Sequence, residues 1–199
     1  MLVNERFYSF LLKKNITLIL FIFLFINYFN QLKALEKISI INNFNSSETL
    51  KFDFKQKSFD KDEKGVCFLK RPYFLRCLYN DKNQKELIIN NRVLVIYHKR
   101  YKKIYRYPVS KSFFIDILNR EKFSKLISNG ESLENKNFFE VKYSDEKRGE
   151  ITFFFNKKDY NLNGWRFVDI NNNVTILKIE NLIKNSIIKK NFFLIPDQN

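Results

Sequence analysis

Residues 50–79 carry the strongest fold signal in the chain, and they read LKFDFKQKSFDKDEKGVCFLKRPYFLRCLY. Apolar and polar residues alternate from Leu50 to Lys55, which is the two-residue period of a β-strand with one buried face. Strand-like runs follow at Gly65–Lys70 and Phe74–Tyr79, joined by the turn Arg71-Pro72-Tyr73. The stretch therefore predicts neighbouring antiparallel strands.

The rest of the chain contains further predicted helices and strands. Apolar residues spaced three apart predict a short helix from Leu35 to Phe44, and Ser110 or Ser112 can cap a helix that continues to Ile127. Further strands are predicted at Glu86–Ile89, Val93–Tyr97, Lys103–Val109, Phe138–Tyr143, Glu150–Phe155, Trp165–Asp169, Val174–Leu182 and Phe192–Ile195, with a tight hairpin turn at Asn163-Gly164. The predicted architecture is one mainly β domain of the α+β class, with helices packed over an antiparallel sheet.

The N-terminus predicts export from the cytoplasm. Basic residues precede the apolar run Ile16–Phe29, which fits the ~7–15 apolar residues of a signal sequence better than the ~20 of a membrane span. Ala34 ends a suitable cleavage site, so residues 1–34 are predicted to be a signal peptide and residues 35–199 a single domain. An uncleaved membrane anchor is the alternative.

Composition and charge narrow the classes of function. The 36 Lys and Arg residues outnumber the 21 Asp and Glu residues, which gives a formal charge of +15. The single histidine, His98, is predicted to be an exposed hairpin residue, and the acidic residues lie in turn-like segments without the spacing of metal ligands or a catalytic triad. We therefore expect no enzyme, no metal site and no cofactor. The basic cluster His98–Lys103 is interpreted as a solvated loop and not as a nucleic-acid-binding surface.

Cys67 and Cys77 are the two cysteines of the chain. In a hairpin centred near Pro72 they can face each other, and an oxidising compartment would let them form a disulfide. The alternative is two unbonded, buried small residues, because a shift of one residue in the register would place them on opposite faces. The sequence leaves both possibilities open.

Several motifs occur in an order that resembles one known family. They are Phe52–Gln56, Gly65–Pro72, Leu87–Asn91, Val93–Tyr97, Leu162–Trp165 and Phe192–Pro196. Over residues 36–196 this series resembles LolA, the family of periplasmic carriers of outer-membrane lipoproteins. The resemblance implies an incomplete, strongly curved antiparallel β-barrel with short α-helices as a lid over a hydrophobic cavity. It also implies a periplasmic chaperone that binds the acyl chains of lipoproteins released from the inner membrane and shuttles them to the outer membrane.

The resemblance further implies the partners of the protein. They are acylated lipoproteins as cargo, an inner-membrane ATP-driven complex that releases them, and an outer-membrane acceptor where one is present. The carrier is expected to be a monomer that binds no nucleic acid. The alternative from the residues alone is a membrane-tethered or soluble envelope protein without lipid cargo, which has a structural role or binds anionic surfaces through its positive charge.

Individual residues also receive roles from the resemblance. Arg71, in the family's Lys-Arg-Pro motif, is expected to donate hydrogen bonds to lid-helix carbonyls and hold the lid shut, whereas the residues alone allow a solvated hairpin arginine. Trp165 is expected to plug one end of the barrel. Expected cavity walls are Phe52, Phe54, Leu69, Leu75, Val95 and Tyr97, and the expected inner face of the lid is Phe113, Phe114, Ile117 and Leu118. An ordinary core and a surface helix would show the same spacings.

Overall fold

The computed structural model describes residues 21–25, 31, 33–91, 93–189 and 191–196. The chain forms two compact units, Met1–Ile38 and Ser39–Asn199. In the first unit the described residues are helical, and most of the predicted signal segment lies outside the described residues. Across the described parts of the chain, no helix combines the length and the apolar character needed to cross a bilayer.

The described part of the second unit is built on an eleven-stranded antiparallel sheet that is not closed. The strands are β1 Thr49–Ser58, β2 Lys61–Lys70, β3 Phe74–Tyr79, β4 Lys85–Asn90, β5 Val93–His98, β6 Lys103–Pro108, β7 Glu131–Glu134, β8 Phe138–Asp145, β9 Gly149–Asn156, β10 Leu162–Val168 and β11 Val174–Lys184. Their order in the sheet is β6-β5-β4-β3-β2-β1-β11-β10-β9-β8-β7. The two long meanders therefore meet where β1 pairs with β11, and β6 and β7 form the edges. The predicted mainly β class, with an incompletely closed antiparallel sheet, is confirmed.

Three α-helices contribute to the described part of the second unit. They are α1, which ends at residue 45 and whose residues 39–45 lie in this unit, α2, Phe114–Ile117, and α3, Arg120–Asn129. The Asn119 side chain caps α3 by accepting a hydrogen bond from the backbone N–H of Lys122 at 2.9 Å. Phe44 of α1 packs on Phe123 of α3, with their ring centroids 3.9 Å apart. Burial of these apolar side chains, not helix length, stabilises such short helices.

The pairing register assigns each residue to one of the two faces of the sheet. Phe52 pairs with Cys67, which pairs with Cys77, and this row continues through Leu87 to Ile96. Directly opposite residues of paired strands share a face, so these five side chains lie on one side of the sheet. The helices share a hydrophobic core with this side, which is called the inner face below. The other side is called the outer face.

Two local predictions differ from the structure, and one strand was not predicted. Phe192–Ile195 is not a strand but a turn and irregular segment, because Arg76 Nη1 donates to the Phe192 carbonyl at 2.6 Å and Asn90 Nδ2 to the Phe193 carbonyl at 3.1 Å. Gly164 is not in a hairpin turn but in β10, beside an irregularity in the register. Its φ is +147°, and an added Cβ would lie 2.1 Å from the Leu177 carbonyl oxygen, so glycine is needed there. Strand β7 was not anticipated from its polar sequence.

Candidate functional site

A cavity of about 320 Å³ lies between the inner face of the sheet and α2. It falls at the lower end of the ~300–1,000 Å³ of ordinary ligand pockets. Its apolar lining consists of Phe52, Cys67, Leu75, Cys77, Leu87, Ile96, Phe113, Phe114, Ile117, Ile151, Trp165, Phe167 and Leu177. Its polar lining consists of Gln56, Tyr79, Lys85, Ser112 and Thr175. A space with this lining suits hydrocarbon chains.

Toward α1 the interior is closely packed. Only about 10 Å³ of free space remains there, among Phe44, Leu50, Leu118, Leu162 and other apolar side chains. The empty volume is therefore concentrated on the side of α2 away from α1. This side contains Gln56 and Tyr79, near the last residues of β1 and β3.

Most of the expected wall and lid residues lie on the inner face. Phe52, Leu75, Phe113, Phe114 and Ile117 line the cavity itself. Leu69 and Leu118 face the packed end beside α1. Phe54 packs against Tyr79, with ring centroids 4.9 Å apart. Trp165 is part of the cavity wall and is 8% exposed, and its ring centroid lies 6.3 Å from that of Phe114 in the lid.

Val95 and Tyr97 were predicted to line the cavity, and this prediction is wrong. Val95 pairs with Ile88, and Ile96 pairs with Leu87 of the cavity lining. Because successive residues of a strand point to opposite faces, Val95 and Tyr97 lie on the outer face while Ile96 faces the cavity. The run Val93–Tyr97 is apolar on both faces, so alternation could not select the inward residues.

Arg71 is 2% exposed, which is incompatible with a solvated hairpin arginine. Its Nη1 donates to the carbonyl of Ser47, which follows α1, and its guanidinium lies 4.2 Å from the centroid of the Phe44 ring. Burial lowers the pKa of Arg71 to about 10, with a further lowering from nearby Arg120 and an opposing effect of Glu48. Arg71 thus contacts the α1 end of the helical layer, not α2.

A second arginine binds the same turn after α1. Arg120, the first residue of α3, donates from Nη2 to Glu48 Oε2 at 2.7 Å and from Nε to the Asn45 carbonyl at 3.2 Å. The turn after α1 is therefore held both by the sheet, through Arg71, and by α3. Arg120 was not predicted as a functional residue, because its partners lie more than 70 residues away along the chain.

Arg148 attaches α2 to the β8–β9 turn. Its guanidinium donates to Asp116 of α2 through Nη1 and to Asp145 Oδ2 through Nε at 3.1 Å. It also lies 4.4 Å from the centroid of the Phe113 ring. Hydrogen bonding from Arg148 is the main cause that lowers the pKa of Asp145. Asp145 was predicted, with the other acidic residues, to lie in a solvated turn. Arg148 was not predicted as a functional residue, because its partner Asp116 lies 32 residues away along the chain.

The two cysteines are disulfide-bonded in the structure, with their Cα atoms 4.0 Å apart. They join β2 to β3 in the row of inner-face residues, and both line the cavity. In the part of the chain that the structure describes, no group of three His, Cys, Asp or Glu residues could hold a metal ion. His98 was predicted to be an exposed hairpin residue, but it is half-buried at the end of β5, with its ring centroid 5.9 Å from that of Tyr105.

These features define a class of protein: an open antiparallel sheet that encloses an apolar cavity under short helices, as in lipid and lipoprotein carriers. The chain belongs to the LolA family, since the family profile described as "Outer membrane lipoprotein carrier protein LolA" matches residues 45–196. The family identified from the sequence motifs is thereby confirmed. Family members are periplasmic carrier or binding proteins and not enzymes. No curated protein matches the sequence at a significant level.

Solved structures share this fold at low sequence identity. An uncharacterized conserved protein from Thermus thermophilus is 8% identical, with a TM-score of 0.52 over 82% of this chain and 94% of that chain. MucB of Pseudomonas aeruginosa, in its complex with MucA, is 8% identical, with a TM-score of 0.50 over 82% of this chain and 61% of that chain. A LolA superfamily protein from Nitrosomonas europaea is 10% identical, with a TM-score of 0.42 over 79% of this chain and 96% of that chain. For the first two structures the likeness concerns the fold alone, and the third is too distant to support an argument.

Proposed function

We propose that the protein binds the acyl chains of lipoproteins released from the inner membrane and carries them through the periplasm to the outer membrane. The observation that supports this function is the apolar cavity of about 320 Å³ under α2. Withdrawing each CH₂ group from water stabilises the complex by about 0.8 kcal/mol, so a lined cavity is the main requirement for moving a lipid anchor through water. Family membership supports the same role.

Binding of a complete lipid anchor requires the lid to move. The cavity lies at the lower end of the ~300–1,000 Å³ range of ligand pockets, whereas an anchor with several acyl chains needs considerably more room. Helix α2 has only four residues, and Arg148 holds it through Asp116. A short element with few attachments is the part of a fold that opens at the lowest cost. We therefore assign lid opening to α2 and its flanking residues.

Arg71 is proposed to hold the helical layer closed at its α1 end until cargo arrives. Its bond to the Ser47 carbonyl joins the β2–β3 turn to the segment that follows α1. Replacing Arg71 by Leu removes this bond but leaves the cavity lining unchanged. The Arg71→Leu variant should bind cargo and fail to pass it on, and normal transfer of lipoproteins by this variant would contradict the role.

The remaining partners follow the same proposal. An ATP-driven inner-membrane complex loads the carrier, and an outer-membrane acceptor, where one is present, receives the cargo. As the resemblance implies, the carrier is expected to act as a monomer, and no cofactor is expected. The carrier itself then needs no energy source, since its membrane partners supply the free energy that drives the cargo from loading to delivery.

The test is native mass spectrometry of the protein secreted into a bacterial periplasm from the full-length chain and purified without detergent. A one-to-one adduct with triacylated lipoproteins is expected. Ile117→Glu, at a lid residue that is 3% exposed, should lose the adduct because it places a carboxylate in the cavity. Ile170→Glu, at a residue that is 65% exposed, is the matched control and should keep it. A folded wild-type protein that carries no acylated cargo would overturn the proposal.

The β6 edge of the sheet favours a second candidate, binding to an anionic surface. Tyr101, Tyr105 and Tyr107 are 56%, 46% and 49% exposed at this edge. The neighbouring Lys99, Arg100, Lys102 and Lys103 are also exposed, and none of these four takes part in the ion pairs of the described residues. Salt-sensitive co-sedimentation with anionic vesicles, absent with zwitterionic vesicles and without cargo in the cavity, would favour this alternative.

A further inference from the structure

One end of the cavity is polar, although the rest of its lining is apolar. Gln56 of β1, Tyr79 of β3, Lys85 of β4 and Thr175 of β11 line this end. All of them lie near the ends of their strands, on the side of the cavity away from α1. An apolar wall that changes to polar side chains at one end matches an amphipathic ligand with a defined orientation.

The polar side chains at this end form a connected network. Lys85 pairs with Glu63, and its Nζ lies 3.8 Å from the centroid of the Tyr79 ring. Gln56 Nε2 donates to Glu63 Oε2 at 3.2 Å, and the Tyr79 hydroxyl donates to Gln56 Oε1 at 3.4 Å. The side chains of Lys85 and Glu63 are only 19% and 18% exposed. The network is therefore largely withdrawn from water and fixed in position by mutual contacts.

Not every donor of this network has a hydrogen-bond partner among the described residues. An ammonium group has three N–H donors, and Glu63 takes one of those of Lys85. A bound hydrocarbon at this position would displace water from the remaining donors without replacing its hydrogen bonds, which is unfavourable. A carbonyl oxygen would accept such a bond. A ligand carboxylate fits less well, because Glu63 already neutralises Lys85 and would repel a second negative charge.

We infer that this polar end, where Gln56, Tyr79 and Lys85 line the cavity and Glu63 pairs with Lys85, binds the ester and amide carbonyl groups at the head of an acylated ligand. The acyl chains then extend along Leu87 and Leu75 toward α2. The inference rests on the proposed function and adds to it a chemical class: neutral, ester-linked or amide-linked lipids are preferred over ether lipids and free fatty acids. The linkage chemistry of the head, and not chain length alone, sets the specificity.

A pair of synthetic ligands isolates the contribution of the carbonyl groups to binding. A dipalmitoyl-glyceryl-cysteine peptide and its dialkyl ether analogue have the same chain lengths and differ in the carbonyl groups. Binding of each to the full chain is measured by titration calorimetry. Because hydrogen bonds to a charged donor contribute about 1.5–3 kcal/mol, we expect the wild-type protein to bind the ester at least roughly tenfold more tightly than the ether.

Two variants and one control identify the residues responsible. Lys85→Met with Glu63→Gln removes both charges of the pair, and Tyr79→Phe removes one hydroxyl while keeping the ring. The double variant should reduce the preference for the ester to less than about threefold, and Tyr79→Phe should reduce it partially. Lys55→Met is the matched control, since Lys55 is on β1 but on the outer face, paired with Glu180, and should keep the full preference.

Each outcome of the titrations distinguishes the inference from the proposed function. Equal wild-type affinity for ester and ether would overturn the inference and leave acyl-chain binding intact. A full ester preference in the folded double variant and in Tyr79→Phe would likewise overturn it. If the wild-type protein binds neither ligand, the proposed function fails, and the inference fails with it. Circular dichroism and a thermal melt of each variant establish that it is folded before binding is compared.

Discussion

The guanidinium of Arg71 lies 4.2 Å from the centroid of the Phe44 ring, with 2% of the residue exposed. Only one hydrogen bond, from Nη1 to the Ser47 carbonyl, compensates for the loss of water, and Nε and Nη2 have no partner among the described residues. The lowering of the Arg71 pKa to about 10 has burial as its largest cause. A buried charge in this state stabilises the fold poorly, which suits a contact that must open.

We therefore expect Arg71→Met to increase stability. An apolar side chain of similar length avoids the desolvation of the charge. Replacing buried ion pairs by apolar side chains is neutral or stabilising by about 1–4 kcal/mol, and we expect a gain within that range here. Urea unfolding monitored by circular dichroism measures the change. Leu69→Met, a conservative replacement at a neighbouring buried position, is the control and should cost less than about 1.5 kcal/mol. A clear loss of stability in Arg71→Met would show that the Arg71 contacts stabilise the fold.

The attachment of α2 gives a prediction with a defined pH dependence. Arg148→Gln removes the charged partner of Asp116 and Asp145, whose side chains are only 13% and 25% exposed. We expect a loss of about 2 kcal/mol at neutral pH, as for hydrogen bonds to charged groups, together with faster uptake of an acyl probe. Arg166→Gln is the control, since Arg166 is 39% exposed and 3.6 Å from Glu150, and its loss should be small.

The sign of the pH effect follows from the lowered pKa of Asp145. A carboxyl group whose pKa is lower in the folded state contributes stability above its unfolded pKa of about 4, and this contribution disappears as the pH falls through the folded value. The stability difference between wild type and Arg148→Gln should therefore shrink below about pH 4. A difference that stays constant between about pH 7 and pH 3 would exclude Asp145 as the partner responsible.

The sequence predicts the strands better than it predicts the site. Alternation in Leu50–Lys55 identifies β1 and its inner face, because only one set of residues in that run is apolar. It fails in β5, where both faces are apolar: Val95 is buried on the outer face and Ile96 faces the cavity. There the choice of face depends on pairing with β4, which a single segment does not encode.

The polar contacts of the site could not be predicted from the sequence for a related reason. Glu63, Lys85 and Arg148 stand in charged segments of the sequence that resemble solvated turns. Their partners become neighbours only when the sheet forms, as when Arg148 meets Asp116, 32 residues away. Arg71 could be found, because the Lys-Arg-Pro motif marked it, but its partner at Ser47 could not.

The disulfide between Cys67 and Cys77 should stabilise the fold measurably. It closes a loop with a sequence separation of 10 residues, for which loop-closure entropy predicts about 3 kcal/mol. The double variant Cys67→Ala/Cys77→Ala should lose this amount in urea unfolding, and a reductant should lower the stability of the wild-type protein alone. If reductant has no effect on the wild type, the bond does not contribute to stability.

The C-terminal residues 191–196 should be needed for stability although they lie on the outer face, away from the cavity. Phe193 is 4% exposed, its ring is 5.6 Å from that of Phe74 on β3, and its carbonyl accepts a bond from Asn90. Phe193→Ala should cost about 3–5 kcal/mol, because it leaves a cavity against the sheet. The next residue, Leu194, is 61% exposed, so Leu194→Ala should change stability by less than about 0.5 kcal/mol.

The same pair of variants separates folding from binding. Because Phe193 does not line the cavity, the fraction of Phe193→Ala that remains folded should bind acylated ligands with wild-type affinity. Stability is measured by urea unfolding and affinity by titration at a temperature well below the midpoint of the variant. Equal stability losses in Phe193→Ala and Leu194→Ala would contradict the burial of Phe193. A loss of affinity in folded Phe193→Ala would show instead that the C-terminal segment helps to position the cavity wall through β3 and β4.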